Sequence, residues 1–459
     1  MAPTSFSSEQ LLLKYDLPVP RYTSFPPVPN WNQAQFSVEK WRDEVKISFA
    51  SANRYDGISV YIHLPFCEKL CTYCGCNKRI TVNHRVEEPY IDAVLKEWDM
   101  YVQLFGYIPK ISELHLGGGT PTFFSAHHLD KLIDGICQKA HVAIDASFSI
   151  EVHPNVTNFD QLKVLRQKGF KRLSVGIQDF DPFIQDIINR HQTIEKTQQV
   201  FDWARALGYD SINADLVYGL PCQTVQSVKY TFDALRKMKP NRIAFYSYAH
   251  VPWISGGQRK FKESDIPSKD EKRKLYETGK SILIGEGYME LGMDHFALED
   301  DALAKAMQNQ TLNRNFMGYT TQSSSVLIGL GCSSISDTGN AYAQNEKELE
   351  AYQEKVNVGE LPIIKGHILD RNEVIIRKHI KNLMCFQKTN WENQSTKFDS
   401  LPETLVKLKI MEEDGLVHIS NQSLKVTPLG MPFIRNISAC FDPYNANDSK
   451  EISRFSKSI

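Results

Sequence analysis

Two rhythms of apolar residues alternate along the chain. Short runs rich in branched side chains occur at 58–64, 111–116, 147–152, 172–177, 212–218 and 243–248. Between them, at 88–105, 129–140, 159–168, 193–207 and 225–238, apolar residues return with helical spacing. Short strands alternating with helices of this length predict parallel βαβ units. The strand runs are apolar on both faces, as a sheet covered by helices requires. The expected class is α/β, a partial parallel (β/α)6 barrel over 56–300. A proline-rich arm precedes it over 1–55, where Pro18, Pro20, Pro26, Pro27 and Pro29 interrupt regular structure. A further strand-like stretch at 289–295 continues the sheet. A mainly helical domain is expected over 301–459, with helices at 361–383 and 401–413. The apolar stretches 414–418 and 424–427, with a helix from Pro428, resemble a small winged-helix module. It lacks a basic recognition helix and reads as a packing or lid element. The polar tail from Asp442 is expected to be loosely held.

In parallel α/β folds the chemistry gathers at the carboxyl ends of the strands. The first strand run is followed there by Cys67, Cys71 and Cys74, a CxxxCxxC spacing, and then by Cys76. Three thiolates on one loop hold three corners of an iron–sulfur cube and leave one iron open to bind another molecule. Two alternatives stand beside this. Cys76 as a fourth ligand would close the cluster, although a CxC pair leaves little chain to reach two corners. A structural zinc site normally draws on two separated ligand pairs, and no second CxxC or HxxxH pair is present. A disulfide has no support, because the chain shows no export signal. Cys137, Cys222, Cys332, Cys385 and Cys440 read as buried small hydrophobes.

Other strand ends carry polar groups. Gly117, Gly118, Gly119 and Thr120 follow the second run; such glycines allow close backbone approach to a ligand, or simply a tight turn. No GxxxxGK[ST] loop exists. Glu151 ends the third run, Gln178 and Asp179 the fourth, Asp215 lies in the fifth, and Tyr248 to His250 end the sixth. Each alone is ordinary loop polarity; their recurrence on the rim that carries the cysteines points to a shared site. His63, His115, His153, His250 and His295 read first as hydrogen-bonded structural residues. Tyr73 either covers an adenine or the cluster, or packs.

Composition adds exclusions. The 459 residues are 42% hydrophobic and 23% charged, with a net charge of −1 and nine cysteines. That balance disfavours general nucleic-acid binding. No apolar run is long enough for a membrane span, so a cytoplasmic protein is expected.

The CxxxCxYC loop, the GGGTPT turn and the barrel pattern together resemble the radical S-adenosylmethionine superfamily. Within it, PRYTS at 20–24, Cys67 through Cys76, SIEV at 149–152, GIQDF at 176–180, YGLP at 218–221, YAH at 248–250, MDHF at 293–296 and GYTT at 318–321 resemble the oxygen-independent coproporphyrinogen III oxidase family, over nearly the whole chain. The resemblance implies a radical SAM barrel in which Cys67, Cys71 and Cys74 ligate a [4Fe-4S] cluster and Cys76 does not. It implies S-adenosyl-L-methionine bound by Tyr61, Gly118, Glu151 and Ile335. A second molecule would lie by Tyr73, Gly119, Thr120, Gln178, Arg190, Asp215 and Ala249. It further implies coproporphyrinogen III as substrate, an electron donor, and a monomer. Two propionates would be oxidatively decarboxylated to vinyl groups through a 5′-deoxyadenosyl radical, giving protoporphyrinogen IX. A tetracarboxylate needs cations, and Arg21, Arg190 and Lys260 are candidates. Two positions depart from the family pattern: His153 stands where relatives carry aspartate, and Met317 where some carry glutamine.

Rival readings remain at this level. A heme-binding chaperone paralogue of the superfamily would lack the equivalent of Cys76 and the PRYTS arm, both present here. A heme-degrading methyltransferase branch is more distant. A cluster protein that only moves electrons gives no reason for polar strand ends, and a zinc-stabilised binding protein is separable by metal analysis.

Overall fold

The computed structural model describes residues 8–252 and 256–446. Among them, the six expected runs form β1 (Ile58–Leu64), β2 (Lys110–Gly118), β3 (His141–Val152), β4 (Phe170–Gln178), β5 (Ser211–Tyr218) and β6 (Arg242–Ser247). They pair in chain order, each parallel to the next. Helices Glu87–Phe105, Ala126–Cys137, Phe159–Gln167, Ile194–Ala206 and Val225–Met238 connect them. Helix starts follow local chemistry: Asn158 and Gln161 form a reciprocal cap, as do Thr224 and Ser227.

The stretch expected as one strand at 289–295 is instead a hairpin, β7 (Tyr288–Gly292) and β8 (His295–Leu298), with β8 antiparallel to β6. The chain turns at Met293 and Asp294, where Met293 has a positive φ of 45°. After residue 300 the chain returns to the other edge of the same sheet. β9 (Leu327–Leu330) lies parallel to β1, and β10 (Ile335–Asp337), β11 (Ala341–Asn345) and β12 (Ile363–Ile368) extend it antiparallel. The helix expected over 361–383 is therefore divided. Ile363–Ile368 is strand, and the helix Arg371–Phe386 starts only after Asp370, whose carboxylate accepts from the Glu373 amide while Glu373 reaches back. Helix Leu401–Glu413 agrees with expectation. Beyond 371 the chain is mainly helical, with a small sheet from Lys388–Asn390, Val417–Ser420 and Ser423–Val426.

Two apolar bodies hold this together. One surrounds the large sheet; the other joins Leu11, Tyr15, Tyr22 and Phe25 of the arm to the C-terminal helices. Asp442 is buried and accepts from Tyr22 Oη at 3.0 Å, so this residue is anchored rather than loose. Residues 447–459 of the expected tail lie outside the described residues. Cys332, Cys385 and Cys440 are buried as expected, Cys137 is half-buried, and Cys222 is exposed on the loop after β5. No helix among the described residues is long and apolar enough to cross a membrane.

Within the strands a period of two separates outside from inside. In β4, Leu173, Val175 and Ile177 pack outward under the helices, while Arg172, Ser174, Gly176 and Gln178 alternate with them and line the interior. The register stacks the inward groups: Tyr61 beside His115, His115 beside Ser149, Glu151 beside Ser174, and Ser174 beside Asn213. The lumen is thus polar, although the sheet around it is apolar.

Candidate active site

The cysteine loop is tied down on both sides. Gly119 N–H donates to the Leu64 carbonyl at 2.9 Å and Thr120 N–H to Phe66 at 3.0 Å, which seats the glycine turn under the loop. On the opposite side Thr72 N–H donates to Ile188 at 3.0 Å, and Asn189 Nδ2 donates to the Leu70 carbonyl at 2.7 Å. The two glycines are required sterically. Gly118 has a φ of +117°, and a Cβ there would meet the His63 ring at 2.8 Å. A Cβ on Gly119 would lie 2.6 Å from the Pro65 carbonyl oxygen and 3.0 Å from Cys67 Sγ.

Cys67, Cys71 and Cys74 share one wall of a cavity of about 500 Å³ inside the rim. Donors face their sulfurs. Thr120 Oγ1 donates to Cys67 Sγ at 3.3 Å, and Arg190 Nη1 to Cys71 Sγ at 3.6 Å. Burial pushes the Cys67 thiol up to about 11, partly offset by Thr120. Cys74 is brought down to about 6, chiefly because the Cys76 thiol donates to it, with Lys78 and Arg190 adding positive charge against burial. Cys76 therefore acts on Cys74, and by residue area it is exposed. Among the described residues no three ligating side chains converge on a single-ion site. The three thiols line a cavity with room for a multi-atom cluster. Three soft thiolate donors, hydrogen bonds aimed at sulfur and a side-chain-free cradle at Gly119 all fit an iron–sulfur cube.

Most of the residues expected to hold S-adenosylmethionine line the same space, in two groups; Tyr61, Ile335 and Ala249 do not. In the first, Glu151 accepts from the Gly118 amide at 3.2 Å and lies 3.5 Å from His115 Nε2. Burial acts to raise its carboxyl, but His115 and the Gly118 amide hold it below the usual value. Tyr61 does not line the cavity. It lies behind, its phenol oxygen 3.0 Å from His63 Nδ1 and its ring stacked on His115 at 5.9 Å. Ile335 is also set back. Gly329, paired with Tyr61 in the register, has the Ile335 backbone against it, so the two residues adjoin across β9.

The second group is continuous with the first. Thr120, Gln178, Arg190, Asp215 and Tyr73 line the cavity. Arg190 is 9% exposed and also donates to the Gly176 carbonyl. Burial acts against its charge, yet Tyr73 and the Cys71 and Cys74 sulfurs raise its pKa. Asp215 accepts from Ser174 Oγ at 2.6 Å and Asn213 Nδ2 at 2.8 Å, and burial pushes its carboxyl up to about 6. Ala249 is not on the lining. Its carbonyl and that of Tyr73 both accept from Gln258 Nε2, at 3.2 and 2.8 Å. Gln258, absent from the sequence reading, thus fixes Tyr73 against the sixth strand end.

The cations considered for a tetracarboxylate are separated by the fold. Arg190 is in the cavity. Arg21 is ion-paired with Asp294 in a crevice outside it, and Lys260 is exposed. Both departures, His153 and Met317, line the cavity. His153 lies on the rim, where burial and then Arg190 hold it neutral, and its Nδ1 accepts from the Asn155 amide at 3.1 Å.

Comparison with known proteins follows this geometry. The family model described as the radical SAM superfamily matches residues 61–235, the span from β1 through the helix after β5. The oxygen-independent coproporphyrinogen III oxidase of Synechocystis is 38% identical over 100% of this chain and 99% of its own length. That of Escherichia coli is 37% identical over 98% of both chains. The solved structure of coproporphyrinogen III oxidase from Escherichia coli, described as a radical SAM enzyme, superposes with a TM-score of 0.89 at 36% identity, covering 96% of this chain and all of that one. With relatives so similar along their full length, the chain belongs to the oxygen-independent coproporphyrinogen III oxidase family of radical SAM enzymes.

Proposed function

We infer that this protein removes two propionate carboxyl groups of coproporphyrinogen III as carbon dioxide, leaving vinyl groups and protoporphyrinogen IX, without oxygen. The observation that supports this most is three cysteines with sulfur-directed donors on the rim of a polar lumen, in a chain aligned end to end with enzymes of that name. Cys67, Cys71 and Cys74 would hold a [4Fe-4S] cluster, and Glu151, Gly118, Tyr61 and Ile335 would position S-adenosylmethionine. When bound, the cluster and S-adenosylmethionine together supply one-electron cleavage of a carbon–sulfur bond and a carbon radical able to abstract hydrogen.

The chain's own residues have other tasks. Thr120 and Arg190 donate hydrogen bonds to the sulfurs of Cys67 and Cys71. Glu151 is an ionised acceptor suited to ribose hydroxyls or an ammonium group. Tyr73, packed beside Ile188, Val217 and Leu220, presents an apolar surface that excludes water. Asp215 and Gln178 supply a further acceptor and an amide, which support a second S-adenosylmethionine in the same cavity. Coproporphyrinogen III is the substrate in this reading, a reductant must donate the electron that cleaves S-adenosylmethionine, a one-electron acceptor must take the electron released with each carbon dioxide, and the protein works as a cytoplasmic monomer. The heme-chaperone alternative has no observation in its favour. Anaerobic incubation of cluster-loaded protein with coproporphyrinogen III, S-adenosylmethionine, dithionite and a one-electron acceptor tests the reading: vinyl product supports it, and cofactor cleavage without vinyl product rejects the substrate.

A further inference from the structure

The lumen does not end beneath Glu151. Inward positions continue toward the amino ends of the strands, and the cavity reaches Glu113, Arg172, Ser211 and Arg242. Arg172 pairs in the register with Ser149, two residues before Glu151. That places the floor about 7 Å below the rim groups.

Two guanidinium groups face this floor, and their bonding differs. Arg242 donates through Nε to both Asp301 oxygens, at 2.7 and 2.8 Å. Arg172 has only a weaker one, a long ion pair to Glu113. Its Nη2 reaches Ser149 Oγ at 3.4 Å, Glu113 Oε1 stands 3.7 Å away, and its buried Nε has no acceptor. Glu113 is already engaged, taking Ser59 Oγ at 2.9 Å and Thr320 Oγ1 at 2.7 Å. Burial and the nearby Arg242 charge both act against the Arg172 cation, lowering its pKa to about 10. Nearby, His295 is held neutral by burial, at about 4, so it contributes no competing charge.

A buried guanidinium with unused donors costs free energy until an acceptor arrives. Its planar fork matches a carboxylate with two parallel hydrogen bonds. We propose that Arg172, at the floor of the lumen, receives one propionate carboxylate of the porphyrinogen substrate and so sets how deep the substrate seats. This rests on the substrate assignment above. Arg172 is a positioning residue: it anchors one carboxylate while another propionate reacts nearer the rim. A carboxylate also ends the methionyl part of S-adenosylmethionine, so the test separates the two sources.

The test is anaerobic equilibrium dialysis of cluster-loaded protein with coproporphyrinogen III and, separately, with S-adenosylmethionine. R172Q is expected to weaken porphyrinogen binding by at least about tenfold, the loss typical of a charge-assisted hydrogen bond. Its affinity for S-adenosylmethionine is expected to stay within about twofold, with R172K intermediate for the porphyrinogen. E113Q removes the carboxylate that competes for Arg172 and is expected to tighten porphyrinogen binding, a gain that a misfolded variant does not produce. Equal porphyrinogen affinity in R172Q and wild type overturns the proposal. So does a loss confined to S-adenosylmethionine, which assigns Arg172 to the methionyl carboxylate, or weaker porphyrinogen binding in E113Q. Failure of the wild type itself to bind or convert coproporphyrinogen III would instead overturn the substrate assignment.

Discussion

The Arg190 guanidinium donates to the sulfur of Cys71 at 3.6 Å. The contact crosses from the loop after β4 to the loop after β1, so a cation stands beside a sulfur proposed to hold a cluster corner. Hydrogen bonds and positive charge at a cluster sulfur raise its reduction potential. R190L is expected to make the cluster harder to reduce by about 60 mV, equivalent to a tenfold change in a one-electron equilibrium. Redox titration followed by electron paramagnetic resonance checks this; an unchanged potential with a full iron content would show that Arg190 does not act on the cluster.

Cys71 and Cys76 are expected to differ completely. C71S should lose the cluster and cleavage of S-adenosylmethionine, because one of the three proposed ligands is gone. C76S should retain iron and sulfide at the wild-type ratio, because Cys76 touches Cys74 rather than completing a ligand set. Iron and sulfide analysis of anaerobically reconstituted protein distinguishes these outcomes. A cluster lost equally in both variants would mean four protein ligands.

The glycine turn offers a steric test. A methyl group on Gly119 has to move the Pro65 carbonyl, 2.6 Å away, and Cys67 Sγ, 3.0 Å away. G119A is expected to lower turnover by at least about tenfold, since displacements of about 1 Å at a reacting centre carry losses up to a hundredfold. Steady-state assay checks it, with circular dichroism showing an intact fold.

Much of this was readable before any coordinates. The six parallel strands announced themselves because short apolar runs alternate with helix-spaced segments, although their inner faces are polar rather than apolar as expected, and the cysteine loop because its spacing is rare. Strands β9 to β11 escaped because they are short and carry Gly329 and Ser336, too little for an alternation to register. Arg172 escaped for another reason. Its inward direction is coded in the polar series Arg172, Ser174, Gly176, Gln178 set against Leu173, Val175, Ile177, but only the register shows that this series shares a lumen with Glu151. Gln258 bonds Tyr73 across 185 residues of sequence while also holding Ala249, a contact that no local pattern contains.

Asp215 should leave a signature in the pH dependence of stability. Burial raises its carboxyl from 3.8 to about 6, so the folded chain holds this proton more tightly than the unfolded chain. Its contribution is greatest below pH 3.8 and is lost as pH rises through about 6. The loss is at most about 3 kcal/mol, the equivalent of two pKa units. In D215N this component should vanish, and urea unfolding of the cofactor-free protein between pH 4 and about 7 measures it. An identical slope in both proteins would remove Asp215 as its source.

The most direct test of the whole account uses coproporphyrinogen III deuterated in its propionate side chains, incubated anaerobically with cluster-loaded protein, S-adenosylmethionine and reductant. The expected result is deuterium in the recovered 5′-deoxyadenosine together with vinyl product and released carbon dioxide. Vinyl product formed with no deuterium in 5′-deoxyadenosine, or 5′-deoxyadenosine formed without label and without vinyl product, would contradict it.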